Sequence, residues 1–275
     1  MRKLLSADLY RFKRDKVFWI CFLAMLVYTI LAMLGNCWQV LQDTTSFEYT
    51  LDTFYFVYAF PIGLLIAVFV SLFLGTEYSD GTVRNKLITG HARRDIYLAH
   101  LFTNMIGGSL LLAAGLLGGL CGIPVLGTWK AGRMTLVFLL ISIMCSVAFA
   151  SIFTLFGMLC SNKAASAVLS ILLFLGLMMA GFSLYFRLAE PEVVNGLVIT
   201  AEGMQMGDPS PNPRYLTGLK REVYQFVLDF LPTGQCMQME ELNVVHPVRM
   251  ILSSLGIMLV TTLGGIAVFE KKDIK

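Results

Sequence analysis

Charge is what this chain lacks most. Asp, Glu, Lys and Arg make up 14% of its 275 residues, where a soluble domain carries about 25%. The few charges gather in short stretches between long apolar runs. Apolar residues reach 57%, and the mean hydropathy is +0.73. Several runs meet the roughly 20 residues a helix needs to cross a hydrocarbon core of about 30 Å. A soluble globular protein is therefore excluded.

Other absences narrow the class further. There is no G-x-x-x-x-G-K-[ST] phosphate loop, no H-E-x-x-H and no G-x-S-x-G, so the common nucleotide, zinc-protease and hydrolase signatures are missing. The three histidines, His91, His100 and His246, lie far apart in sequence and read as interfacial or loop polar residues. The expected span interiors hold no Asp, Glu, Lys or Arg. Ion-coupled carriers usually keep an ionisable group there, so this lack weighs against that class. If the chain moves something, the energy comes from elsewhere. An intramembrane enzyme lacks a catalytic pair within the spans; His246 with Glu240 or Glu241 is the nearest substitute. No small-x-small cleavage site follows the first apolar run, which is expected to stay as a helix.

What is present reads as one all-α polytopic membrane domain over 1–275. Six transmembrane helices are expected near 17–34, 54–75, 98–126, 134–160, 164–186 and 250–269, with a long outer segment over 187–247. Residues 2–16 read as an amphipathic helix with Leu5, Leu9 and Phe12 on one face and basic residues around it. Such a helix suits the headgroup layer of the bilayer, though an ordinary basic flank is the plainer reading. The third run carries Gly115-xxx-Gly119 and Gly118-xxx-Gly122, spacing that lets helices approach closely in lipid.

Orientation follows from the basic residues. With the N-terminus inside, 14 of the 21 Lys and Arg fall on the inner side, which places both termini in the cytoplasm. That bias also accounts for the net charge of +3 without nucleic acid. The six cysteines show no metal-ligand spacing. Cys21, Cys121, Cys145 and Cys160 belong to apolar runs or their ends, and Cys37 and Cys236 fall in outer segments, where a disulfide is conceivable. In the outer segment, 190–213 reads as a Pro- and Gly-bearing loop. Residues 219–231 read as an extracellular amphipathic helix with Leu219, Val223, Phe226, Val227 and Phe230 on its apolar face, ended by Pro232 and Gly234. Span hydroxyls at Ser71, Ser109, Ser142, Ser146 and Thr154 are expected to dot an apolar cavity suited to amphipathic peptides, lipids or hydrophobic drugs.

The loop after span 2, residues 76–97, has its own structure. Ser79 or Asp80 is placed to cap a short helix, Val83, Leu87 and Ile88 give it an apolar face, and Gly90 is placed to close it in a left-handed conformation. A second helix starts near Ala92. The defined start, apolar face and stop favour a docking helix on the cytoplasmic side, flanked by Arg84, Lys86, Arg93 and Arg94, over an ordinary solvated loop made basic by topology.

Here the sequence resembles the permease subunits of ABC-2 type ABC transporters, whose first cytoplasmic loop reads like E-Y-x-x-G-T-[IV]-[KR]-x-x-L followed by S-R-x-x-I-Y-L-x-K. The matches are Glu77, Tyr78, Gly81, Thr82, Val83, Arg84, Leu87, Arg93, Ile96, Tyr97 and Leu98. The departures are Gly90 for proline, Ala92 for serine and His100 for lysine. Residues 269–274 and Leu231-Pro232-Thr233-Gly234-Gln235 also look like the family's tail and the stretch before its last span. The resemblance implies a bacterial plasma-membrane protein that forms a translocation path with a second permease chain, identical or related. ATP and Mg²⁺ would be bound by separate ATPase subunits and no cofactor by this chain. Residues 79–90 would be the coupling helix, Val83 and Leu87 its packing contacts, and Glu77 and Arg84 its polar ones. The outer helix would belong to an extracellular gate. Size and loop pattern look most like peptide-antibiotic export and self-immunity permeases. The alternative is a membrane immunity or sensor protein that binds a toxic peptide without transporting it.

Overall fold

The computed structural model describes residues 1–44, 48–127, 132–200 and 203–273, the side chains of 195–200 and 203–208 apart. Trp129, Lys130, Ile274 and Lys275 lie outside the described residues.

Six helices among them are long and apolar enough to cross a membrane: α2 (Lys16–Gln42), α3 (Leu51–Ser79), α5 (Arg93–Leu126), α6 (Gly132–Leu159), α7 (Lys163–Ala189) and α10 (Pro247–Lys271). The first helix, α1 (Arg2–Lys13), precedes them, and α4 (Thr82–Ile88) sits between α3 and α5. Several spans start at polar caps or a proline. Asp15 accepts from the Phe18 N–H at 2.8 Å, and Asn162 accepts from the Ala164 N–H at 2.8 Å, each satisfying an orphan donor of a first turn. Pro247 opens α10, where its missing N–H costs nothing.

Helices α3 and α6 form the centre, with 61% and 56% of their most apolar windows buried; α7 and α10 keep only 17% covered. The outer faces of those two are thus left for lipid or another chain. Glycines set the close crossings, as expected. A Cβ at Gly115 would stand 2.7 Å from Met25 and Tyr58, and one at Gly118 would collide with Thr29. The hydroxyls expected to dot a cavity are instead spent inside the bundle. Ser142 bonds Tyr58 at 2.8 Å, Thr154 accepts from Asn104 at 2.9 Å, and Ser71, Ser109 and Ser146 bond carbonyls of their own helices.

The N-terminus and the last turn of α10 meet the first turn of α5 at one end of the bundle. The N-terminal amine lies 3.6 Å from Asp95, and Arg93 donates to the Phe269 carbonyl at 3.0 Å.

The opposite end departs from the sequence reading in three ways. Residues expected as loop form an antiparallel hairpin of β1 (Val193–Thr200) and β2 (Gly203–Pro211). A two-stranded ribbon has only edge strands, so its prolines need not donate to a ladder. Pro232 and Gly234 terminate α8 (Gly218–Phe230) but also begin α9 (Pro232–Glu240), a buried helix packed among α3, α6 and α7. A Cβ at Gly234 would collide with the Leu228 carbonyl, which explains the glycine. Cys236 is carried inward with α9, where its Sγ lies 3.6 Å from that of Cys145. Cys37 and Cys236 are both free thiols, so the conceivable bridge between them is not formed.

Candidate functional site

The site builds from three helix turns at the terminal end. On α1 the buried stripe is Leu4, Asp8 and Phe12, spaced i, i+4, i+8. This corrects the expected face: Phe12 points in, while Leu5 and Leu9 only flank it. Phe12 is clamped against Phe18, ring centroids 4.3 Å apart, and against Phe69 at 5.8 Å. With its neighbours one turn away anchored, Asp8 has nowhere to go but inward.

On the second span the helix runs through Ser79, a turn beyond the expected end at 75. Glu77 therefore belongs to the span and is only 2% exposed. An acid thus stands on the last turn of this helix, past the apolar stretch read as the span interior. Gly81, at φ +67°, then turns the chain into α4, a conformation suited to glycine. Neither expected cap, Ser79 or Asp80, serves: the N-cap is Gly81 with no side-chain bond, Ser79 bonds its own helix at Gly75, and Thr82 Oγ1 donates to the Glu77 carbonyl at 3.0 Å. Gly90, at φ +85°, closes α4 as expected, with the Gly90 N–H on the Leu87 carbonyl and the His91 N–H on that of Lys86.

That turn geometry aims Val83 into the bundle, 1% exposed, with Leu87 half-buried behind it. Val83 is therefore not available as an outward packing contact. The exposed side chains of α4 are Arg84, Asn85 and Ile88, the last 72% exposed.

Lys86 follows Val83 by three residues and points the same way. Its Nζ lies 2.7 Å from Asp8 Oδ1, 2.8 Å and 3.0 Å from the Glu77 oxygens, and 3.4 Å from His100 Nε2. Arg11 ion-pairs with Glu77 from the other side, donates to the Phe73 carbonyl at 2.9 Å, and rests 3.9 Å above the Phe73 ring. His100, fully buried on α5, has Nδ1 3.3 Å from Asp8 Oδ2. Neither that Nδ1 nor that Oδ2 makes a hydrogen bond, and the ring's Nε2 also lies 3.4 Å from Glu77 Oε2. Two carboxylates meet two cations, so the cluster is neutral when His100 is neutral. Such balance is what makes buried charge tolerable.

The donor atoms of Asp8, Glu77 and His100 lie within 4.8 Å of one another, close enough for a metal ion. The Lys86 ammonium takes that central position. It acts as a cation tethered to α4, and it holds α4 to α1, α3 and α5 at once. His100, read as an interfacial polar residue, is thus a buried member of this cluster. Its sequence signal was faint: one acid within the apolar stripe of α1, and a histidine where lysine is common.

A second tie joins the same region to the last span. Arg93 also donates to the Lys272 carbonyl, and Lys272 Nζ donates to the Met158 carbonyl at 2.9 Å while lying 4.3 Å over the Tyr78 ring. Burial pulls the Lys272 ammonium below the usual lysine range. Gly265 fits against Tyr97 with no room for a Cβ.

At the other end, α8 does not bury its apolar face. Val223, Phe226 and Phe230 are exposed, while Leu228 and Asp229 point inward; Pro232 is buried at the start of α9. Asp229 accepts from Gln225 at 2.8 Å and Gln238 at 3.0 Å on one oxygen, and from Arg249 at 3.2 Å on the other, where His246 Nδ1 also lies 3.0 Å away. Residues expected on one gate helix therefore divide between an exposed face and a buried helix start.

No curated protein matches the chain. A family model described as an ABC-2 family transporter protein matches residues 4–185, from the N-terminal helix into the fifth span and including every member of the ionic cluster. That coverage, on six spans of the expected layout, means that the chain belongs to the ABC-2 transporter family and is a membrane permease of an ABC transporter.

Proposed function

We propose that this chain is the permease subunit of an ATP-driven exporter, with both termini in the cytoplasm of a bacterial cell. A second permease chain completes the translocation path. Separate ATPase subunits bind ATP and Mg²⁺, and this chain supplies no ATPase site of its own. The exported compound is amphipathic or hydrophobic, and an antimicrobial peptide is the class we favour.

The observation that supports this reading is the four-helix junction at Lys86. A docking element must present an outer surface and be joined firmly to what it moves. Helix α4 presents Ile88 and Arg84 to solvent, and Lys86 ties it to α1, α3 and α5. Beside it, a groove of about 350 Å³ runs between α1 and α4, lined by Lys3, Leu4, Ala7 and Asn85 among others. An ATPase cleft seated on Ile88 and this groove would pass its closing motion to spans two and three through Lys86, and to the last span through Arg93. Domain closure converted into helix shifts is a known switching mode.

The test is co-purification with the cognate ATPase. Ile88→Asp combined with Arg84→Glu is expected to abolish the complex and ATP-dependent export while leaving the folded permease intact. An intact complex with unchanged export would overturn the docking role. Full protection of cells by a complex with a catalytically dead ATPase would favour the non-transporting immunity reading instead.

A further inference from the structure

The end of the bundle away from the chain termini carries a groove that ATPase coupling leaves unused. It has a volume of about 830 Å³ and lies between α8 and the first turn of α10. One wall is apolar: Leu219, Val223 and Phe226 follow one another along α8 and are each at least half exposed. The other wall is the start of the last span, with Val245, His246 and Arg249. Val248 beside Arg249 is exposed, and below Arg249 α10 continues with exposed Leu252 and Leu259. The groove is thus continuous with the uncovered apolar side of a spanning helix, at the level where that span begins.

Its basic groups are incompletely used. Arg221 lines both the groove and a smaller inner cavity of about 140 Å³, its guanidinium 5.2 Å over the Tyr215 ring, and its Nη1 is buried behind the groove surface with no hydrogen-bond partner. A guanidinium donor withdrawn from water without an acceptor is a standing cost, relieved when an anion supplies oxygens in the fork geometry. Arg249 gives one nitrogen to Asp229 and stacks 5.7 Å from the Phe226 ring, which leaves other N–H groups free to face the groove. His246 keeps Nδ1 on Asp229, so Nε2 remains. Asp229 is fully buried behind these residues and already engaged by the two glutamines and Arg249. Among the described residues, the carboxylate lining the groove is that of Glu222, which is exposed to solvent.

We infer that this groove binds the phosphate-bearing headgroup of an anionic phospholipid. The phosphate sits on Arg221 and Arg249, and the acyl chains run from Phe226 and Val223 down the open face of α10. An acidic peptide would satisfy the guanidinium equally well. The lipid is favoured because the apolar wall joins a membrane-facing helix, so one molecule fills both parts. The inference does not depend on which ATPase, if any, the chain docks.

The experiment uses the full chain, delipidated in detergent, with thermal unfolding and binding of a spin-labelled lipid as readouts. Phosphatidylglycerol is expected to bind and to raise the melting temperature, phosphatidylcholine much less. Arg221→Gln should weaken phosphatidylglycerol roughly tenfold or more, the worth of a charge-assisted contact, with little change in the lipid-free melting temperature. Arg221→Lys should restore part of the binding. Glu222→Gln should tighten it, because a like charge leaves the rim. Phe226→Ser should weaken lipid binding while leaving any response to inorganic phosphate unchanged. Equal stabilisation by phosphatidylcholine, or unchanged binding in Arg221→Gln, would overturn the proposal. Stabilisation by inorganic phosphate matching that of the lipid would assign the site to a soluble anion and overturn it too.

Discussion

Two carboxylates sit at opposite ends of this bundle, Glu77 at 2% exposure and Asp229 at 0%, and each is neutralised from other helices. The cations differ. Lys86, which serves Glu77, is itself mostly buried, and its ammonium is shared among two acids and a histidine. Arg249 and His246, which serve Asp229, are 38% and 41% exposed. A buried cation with all its donors spent can only hold helices together. An exposed cation that spends one donor on an internal acid is oriented by it and still faces outward. The same local chemistry thus makes a lock at one end and a presented surface at the other.

The sharpest way to break that comparison is Lys86→Met. It leaves two buried carboxylates with Arg11 as their remaining strong cation, and removing one partner of a buried pair costs about 3–5 kcal/mol. Thermal unfolding in detergent should show a fall of that order, and wild-type stability in Lys86→Met would mean the cluster is not a lock. Lys86→Ala adds a second readout. Vacating the centre leaves Asp8, Glu77 and His100 with donor atoms within 4.8 Å of one another, so zinc should stabilise this variant and not the wild type.

Asp229→Asn sharpens the contrast with a smaller effect. Arg249 and His246 have water to turn to, so the loss is about 1–3 kcal/mol, that of a buried polar network losing its acceptor. A loss equal to that of Lys86→Met would erase the distinction between the two ends.

The smallest effect is a pH dependence from the α9 end. Burial, and then the neighbouring Glu241 carboxylate, raise Glu240 from 4.5 to about 7. The folded state holds that proton more tightly than the unfolded chain. Its contribution is present in full below about 4.5, falls as pH rises toward 7, and is lost above. Glu240→Gln should flatten this part of the melting-temperature profile. Parallel profiles for the two proteins would show that Glu240 is solvated in the fold.

Several features were legible because each depends on residues close together in sequence. The apolar runs marked all six spans, the spaced glycines of α5 marked close packing, and Gly90 marked the end of α4. The ionic cluster was not legible. Its members stand at 8, 11, 77, 86 and 100, and nothing local says that an acid on an N-terminal basic helix meets a histidine in the third span. Val83 and Phe226 failed for a related reason. Amphipathic spacing says that a helix has an apolar face, but not whether the bundle, the lipid or a ligand covers it. Gly81 turned Val83 inward, while the burial of Leu228 and Asp229 turned Phe226 outward.

The sequence alone therefore determined that this chain crosses a membrane, how often it does so, and which loop carries the family pattern. Hydrophobic length and the basic bias act segment by segment and need no partner. Only the tertiary structure decided where the charges go. The cost of burying an ion is cancelled only by a counter-ion within reach, and which residues come within reach is a property of helix packing.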